Sequence, residues 1–299
     1  MLNVIYSRSE TKRNLEIIKR IRESLEKNNG EVILLVPEQQ VLEAERMTAG
    51  QGLVSFDFRV LSFRRLANEI FRSFGGLCER YLSAGASCVL MHRVLCELGG
   101  GLLEYGAIDL KDRSSITLLC NAVNEFKRAG ISSRELLEAG EKLSHTEKLK
   151  NKLSDLAMIM SAYGAAIQKG FGDPMDDLTR SAKLVNGTDF FKNVSVFVNS
   201  FDGFTGAELA LLKLMIRDSQ SVTVSLSMDL GDTSRFLDKI KRTDQALRSA
   251  ARDVGAKVFH TKLPSDDIAC AKELEFLCES LPDPEAIYEE ANNAITVMP

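Results

Sequence analysis

Five consecutive apolar residues, Val32 to Val36, closed by Pro37, constrain the fold of this chain more than any other feature. A strand apolar on both faces must be covered on both sides, as in the middle of a parallel sheet layered with helices. The flanking sequence repeats the pattern. Leu2 to Tyr6 is a short apolar run, polar Ser7 to Arg13 follows, and Leu15, Ile18, Ile21 and Leu25 recur at helical spacing. Glu38 to Thr48 has helical character, Phe56 to Ser62 alternates like a strand, and Phe63 to Phe74 returns to helix. This strand-helix alternation is the signature of an α/β layer.

The pattern changes between about Ser83 and Gly170, where no β-rich run occurs and no proline stands between Pro37 and Pro174. Val89, Arg93, Leu95 and Leu98, then Leu118, Val123 and Phe126, then Leu149, Leu153, Leu156 and Ile159 mark amphipathic helices. The sheet signal resumes at Val194 to Val198. A helix (Ala207 to Ile216), a strand (Val222 to Leu226), a helix (Arg235 to Val254) and a short strand (Lys257 to His260) follow. The expected organisation is a sheet domain in two parts, 1–82 and 171–299, interrupted by a helical insertion at 83–170. The chain stops at Ala294 to Pro299, inside a strand-like run, the pattern expected of a piece of a longer protein.

Charge sharpens the picture. The 299 residues carry a net charge of −4, but Asp266 to Glu290 holds nine carboxylates against one lysine, a balance of −8 that leaves the remainder at +4. This stretch reads as a solvated helix face and loop, or as a mimic of nucleic acid that docks on a basic partner. No run of about 18 apolar residues suits a membrane span, and Met1 to Arg8 lacks the pattern of an export signal. Cys78, Cys88, Cys96, Cys120, Cys270 and Cys278 include no pair at metal-binding spacing, and His92, His145 and His260 are far apart. Free thiols in a reducing cytoplasm, with no metal site, are expected.

A phosphate-binding loop would lie between the first strand and its helix, its glycines turning backbone N–H groups toward phosphate. Here that stretch is Tyr6-Ser-Arg-Ser-Glu-Thr-Lys-Arg13. Only Lys12 fits; glycine is absent, Glu10 adds negative charge, and Arg13 stands where a magnesium-binding hydroxyl would be. A later strand should end in carboxylates that hold magnesium and polarise water. Val196 to Val198 ends instead in Asn199 and Ser200, and Asp202 before Gly203 reads as a turn residue.

Four motifs together resemble the amino-terminal region of the AddB/RexB family, the B component of a bacterial ATP-dependent helicase/deoxyribonuclease that processes double-strand breaks. They are Val32-Ile-Leu-Leu-Val-Pro-Glu-Gln-Gln40 with Glu45, Val60-Leu-Ser-Phe-Arg-Arg-Leu-Ala67, Asn124-Glu-Phe-Lys-Arg128, and Phe201-Asp-Gly-Phe-Thr205 with Glu208. The resemblance covers Leu2 to about Met228. It implies a P-loop NTPase fold, a RecA-like, superfamily 1 helicase-like parallel sheet with an inserted all-helical subdomain. It also implies that Pro37, Gln39, Gln40 and Ser62, Phe63, Arg64 stand where related helicases touch single-stranded DNA. Phe63 would stack on a base or pack in the core, and Arg64 and Arg65 would neutralise phosphate or form a solvated face.

Many family members keep the glycine-rich loop from which this chain departs. The resulting expectation is a helicase-like, DNA-holding scaffold with a degenerate nucleotide position at Lys12, Arg13, Asn199 and Asp202, no catalytic residue and no cofactor of its own. Its partners would be single-stranded DNA or DNA ends and the motor subunit. The alternative is an active ATP-binding domain in which Lys12 and Arg13 grip phosphates and Asp202 or Asp229 holds magnesium.

Overall fold

A computed structural model describes residues 1–27, 30–78, 80–143, 146–232, 235–264 and 276. The acidic stretch Asp266 to Glu290, the run Ala294 to Pro299, His145, Cys270 and Cys278 lie outside the described residues. The fold is α/β, with a six-stranded parallel sheet and many helices. It divides into two compact units, one of residues 1–63, 191–204 and 212–299, the other of 64–190 and 205–211.

The first unit holds the sheet: β1 (Leu2–Tyr6), β2 (Glu31–Leu35), β3 (Phe58–Leu61), β4 (Val194–Val198), β5 (Ser221–Leu226) and β6 (Val258–Lys262), in the order β3-β2-β4-β5-β1-β6, all parallel. The first three strands each feed a helix: α1 (Glu10–Glu26), α2 (Val41–Gly50), preceded by a 3-10 turn at Glu38–Gln40, and α3 (Phe63–Phe74). Ile17, Ile18 and Ile21 of α1 and Val41 and Ala44 of α2 pack on one sheet face, against Ile5, Val32, Leu34 and Phe197. Each fully buried aliphatic side chain contributes about 1.5–3 kcal/mol. Tyr6 alternates with Ile5 and faces the other way, where its hydroxyl donates to Asp244 at 2.7 Å. At the amino edge, Gly30 has φ +94 and a Cβ there would lie 2.0 Å from the Asn193 carbonyl oxygen. Only glycine lets β2 start beside β4.

The second unit is helical: α3 from Arg64 onward, α4 (Ala84–Leu98), α5 (Arg113–Ala129), α6 (Ser133–Glu141), α7 (Glu147–Ile167), α8 (Asp177–Val185) and the first residues of α9 (Gly206–Asp218). Met91, Val123 and Ile159, all at 0% exposure, form the centre of its core. Asp112 caps α5 by accepting the N–H groups of Ser114 and Ser115, and Ser132 with Glu135 forms a capping box on α6. Buried Asp155 of α7 accepts the backbone N–H groups of Leu103, Glu104 and Tyr105 at 2.7–3.0 Å, holding the loop before α5.

The structure differs from the sequence pattern in three respects. The helical unit is wider than 83–170, because Arg180 of α8 lies 5.0 Å over the Phe71 ring of α3 and donates to the Gly76 carbonyl at 2.6 Å. Phe56 precedes the third strand and is fully exposed. Leu15, Val89, Leu118 and Leu149 are exposed although they sit in the expected helices. Neighbouring positions such as Ile17, Met91, Ile116 and Leu119 take the core face instead, since four-residue spacing alone leaves a helix free to rotate. Helix α10 (Asp238–Asp253) belongs to the first unit and carries Asp244.

Candidate functional site at the carboxyl ends of the strands

The crossover after β1 runs toward β2 and that after β4 runs the opposite way toward β5, so the direction of winding reverses across these strands. Ligands of open α/β sheets bind in such a crevice. An open cleft of about 190 Å³ lies there, lined by Glu10, Arg13, Gln40, Ser200, Asp202 and Ser225 among others.

Three residues, Ser7 to Ser9, make the whole turn from β1 to α1. Ser9 is an ordinary N-cap: its Oγ accepts the N–H of Lys12 at 3.4 Å, while Ser7 Oγ accepts the N–H of Ser9 at 3.1 Å. These are N–H groups that a glycine-rich loop would aim at phosphate, and here hydroxyls of the turn take them. Arg13 is 8% exposed, and its guanidinium donates to the Ser7 carbonyl. Burial pushes its pKa below the ordinary arginine value, while the carboxylates of Glu10 and Asp202 act in the opposite direction. A fixed cation therefore lines the cleft.

At the tip of β4, Asn199 is 3% exposed and both ends of its amide are engaged. Its Nδ2 donates to Asn14 Oδ1 at 2.7 Å, and its Oδ1 accepts from Ser225 Oγ. The side chain thus cross-links α1, β4 and β5. Ser200 follows with φ 64, a left-handed conformation that costs a residue with a Cβ, and it turns the chain at the cleft. Asp202 is exposed, and its carbonyl accepts from Thr243 Oγ1 at 2.9 Å. Asp229 instead pairs with Arg8 at 3.5 Å.

The remaining residues singled out by sequence divide by exposure. Pro37 and Gln40 are half-buried and Gln39 is exposed. Ser62 is buried and donates to the Glu38 carboxylate. Phe63 is 3% exposed and packs against Phe201 (centroids 5.5 Å apart, 70°) and Phe204 (6.2 Å, 80°). Of its two expected roles, base stacking and core packing, this geometry is the second. Arg64 and Arg65, the next two residues of α3, are exposed. Sequence reasoning missed Asn14 and Ser225, which lie 185 and 26 residues from Asn199 and carry no local pattern.

Among the described residues no helix is long and apolar enough to cross a membrane, and no cluster of three His, Cys, Asp or Glu could hold a metal ion. The profile of the ADDB N-terminal family matches residues 4–277. Proteins named as the B component of an ATP-dependent helicase/deoxyribonuclease are similar over most of the chain. That of Clostridium botulinum (strain Hall) is 27% identical over 266 residues, 86% of this chain and 23% of its own. That of Acetivibrio thermocellus is 27% identical over 267 residues, 86% and 23%. That of Caldanaerobacter subterraneus subsp. tengcongensis is 27% identical over 310 residues, 99% and 26%. The chain spans about a quarter of the length of these curated relatives. With the family profile covering residues 4–277, the chain belongs to the ADDB N-terminal family.

Proposed function

We propose that this chain is the helicase-like, DNA-holding first portion of the B component of a cytoplasmic, break-processing ATP-dependent helicase/deoxyribonuclease, with a RecA-like sheet whose nucleotide position is degenerate. In this reading it hydrolyses no ATP of its own and requires no cofactor. It acts beside the motor subunit on single-stranded DNA or DNA ends. The observation that supports the reading is the Asn14–Asn199–Ser225 chain, which engages the side chain at the tip of β4 in holding the sheet together, so that this position itself offers magnesium no carboxylate.

Other features agree. The cleft of about 190 Å³ is below the range of roughly 300–1,000 Å³ typical of small-molecule and cofactor sites. The Arg13 guanidinium is turned back onto the Ser7 carbonyl, to which it donates. On the DNA side, Gln39 is an exposed donor after β2, and Arg64 and Arg65 are exposed cations in the first turn of α3.

Two titrations test the reading. Calorimetry with a non-hydrolysable ATP analogue and magnesium should give no binding; micromolar binding abolished by Lys12→Ala would replace it with the active-nucleotide alternative. A single-stranded oligonucleotide should bind with strong salt dependence, and Arg64→Ala with Arg65→Ala should make the salt slope shallower by about 1.4. An unchanged slope would remove α3 from the DNA face.

A further inference from the structure

Two thiols meet in the seam between α4 and α5 of the helical unit. Cys120 stands in the core at 5% exposure, and its thiol donates to the Ser87 carbonyl at 3.8 Å. Cys88, the next residue of α4, is half-buried, and its sulfur lies 3.9 Å from Thr117 Oγ1. Thr117 and Cys120, three residues apart, share one face of α5. Each sulfur therefore reaches across the seam to the helix that carries the other. The electrostatics agree with this geometry: burial pushes the Cys120 thiol up to about 12, and the neighbouring Cys88 sulfur, with which it hydrogen-bonds, adds to the rise. Cys78 and Cys96 bond elsewhere, with Arg180 at 3.2 Å and with His92 at 3.8 Å.

We propose that Cys88 and Cys120 form a reversible disulfide that locks α4 to α5, with a low-molecular-weight disulfide of the glutathione class as the oxidant. Exposure sets the order of events, because the thiolate is the nucleophile and Cys88 is the half-exposed partner. The Cys88 thiol loses its proton to solvent and attacks one sulfur of the oxidant; the S–S bond of the oxidant breaks, and the leaving thiolate takes up a proton. Cys88 then carries a mixed disulfide. The Cys120 thiol gives up its proton in turn and attacks the Cys88 sulfur, expelling the second half of the oxidant as a thiol. Two protein thiols are oxidised, one oxidant disulfide is reduced to two thiols, and one S–S bond forms in the protein. That bond closes a loop of about 32 residues between Cys88 and Cys120. The loop contains Leu103, Glu104 and Tyr105, whose backbone N–H groups are already tied to Asp155 of α7. Oxidation thus adds a covalent tie between α4 and α5 to the hydrogen-bonded one at α7, and makes the rigidity of this unit depend on the thiol–disulfide balance.

The test treats the 299-residue chain with glutathione disulfide, alkylates the remaining thiols and maps the peptides by mass spectrometry. The expected product is a peptide pair cross-linked through Cys88 and Cys120 that dithiothreitol releases. Amide hydrogen exchange in α4 and α5 should slow by about tenfold or more on oxidation. Cys120→Ala should stop the reaction at a glutathione adduct on Cys88 and leave the exchange rates unchanged. Should that core variant fold poorly, Cys88→Ala at the half-buried position serves instead, and it should abolish both the cross-link and the slowed exchange. A glutathione adduct that persists on Cys88 of the unsubstituted chain, the absence of a Cys88–Cys120 peptide under excess oxidant, or a cross-link that leaves exchange in α4 and α5 unchanged would overturn the proposal.

Discussion

The side-chain amide of Asn199 donates to the carboxamide oxygen of Asn14 at 2.7 Å, joining the tip of β4 to the first helix inside the buried carboxyl edge of the sheet. The Ser225 hydroxyl donates to the other end of the same amide. One side chain therefore joins three elements, α1, β4 and β5, at the carboxyl end of the sheet.

Removing that side chain should destabilise the sheet unit. Asn199→Ala leaves half-buried Asn14 and buried Ser225 without their common partner, and a buried group left unsatisfied costs about 1–3 kcal/mol. Urea unfolding monitored by circular dichroism should show a loss of about 1–3 kcal/mol, and an unchanged midpoint would mean that the three residues are not coupled. Asn199→Asp separates structure from chemistry: it should also lose stability, and it should not create magnesium-dependent ATP hydrolysis.

In the helical unit, Lys127 is almost fully buried and donates to Asp173 at 2.6 Å and to Asp176 at 2.9 Å. Its ammonium also lies 5.7 Å from the centre of the Tyr163 ring. Lys127→Met keeps the apolar stem and deletes the charge, leaving Asp173 as an uncompensated buried carboxylate. A loss of about 3–5 kcal/mol is expected. Adding Asp173→Asn should recover a large part of it, because the remaining group is then neutral. A single-variant loss below about 1 kcal/mol, or no recovery in the double variant, would contradict the assigned pairing.

Acid sensitivity should trace in part to helix caps. Asp112 is held below the usual carboxylate range, first by the Ser115 hydroxyl and then by the Ser114 N–H, and Glu135 is lowered by the Ser132 N–H and hydroxyl. A carboxylate with a depressed folded-state pKa stabilises above its unfolded-state pKa and loses that contribution as pH falls through the folded value. Asp112→Asn caps about as well and does not titrate. It should match the wild type at neutral pH and show a shallower decline of melting temperature between about pH 5 and pH 2. A curve parallel to the wild type would exclude Asp112 from the acid response.

Much of the architecture was legible in the residues, and the reason is periodicity. Val32 to Val36 required a strand covered on both sides, and the run falls on β2, an interior strand flanked by β3 and β4. Phe63 to Phe74 is helical at the bounds its pattern indicates. What was not readable is which face each helix buries. Leu118 is 67% exposed while Ile116 and Leu119 beside it are buried, a rotation of the helix that depends on its neighbours.

The candidate site divides along the same line. Lys12, Arg13, Asn199 and Asp202 could be placed near the strand ends by their local context alone. The role of Asn199 could not, since its partners are 185 residues away in one direction and 26 in the other. Phe63 shows the same limit: a phenylalanine at a helix start suits a base or a core equally well, and only Phe201 and Phe204, brought from the far side of the helical segment, decide for the core.

The sequence by itself determined the strand and helix content, the parallel sheet, the missing glycines and the absence of a strand-tip carboxylate, because these follow from residue type and short-range spacing. Only the tertiary structure decided that Arg13 lines the cleft and that Asn199 bridges α1 and β5. Those facts depend on strand order and register, which bring together residues that no local pattern connects.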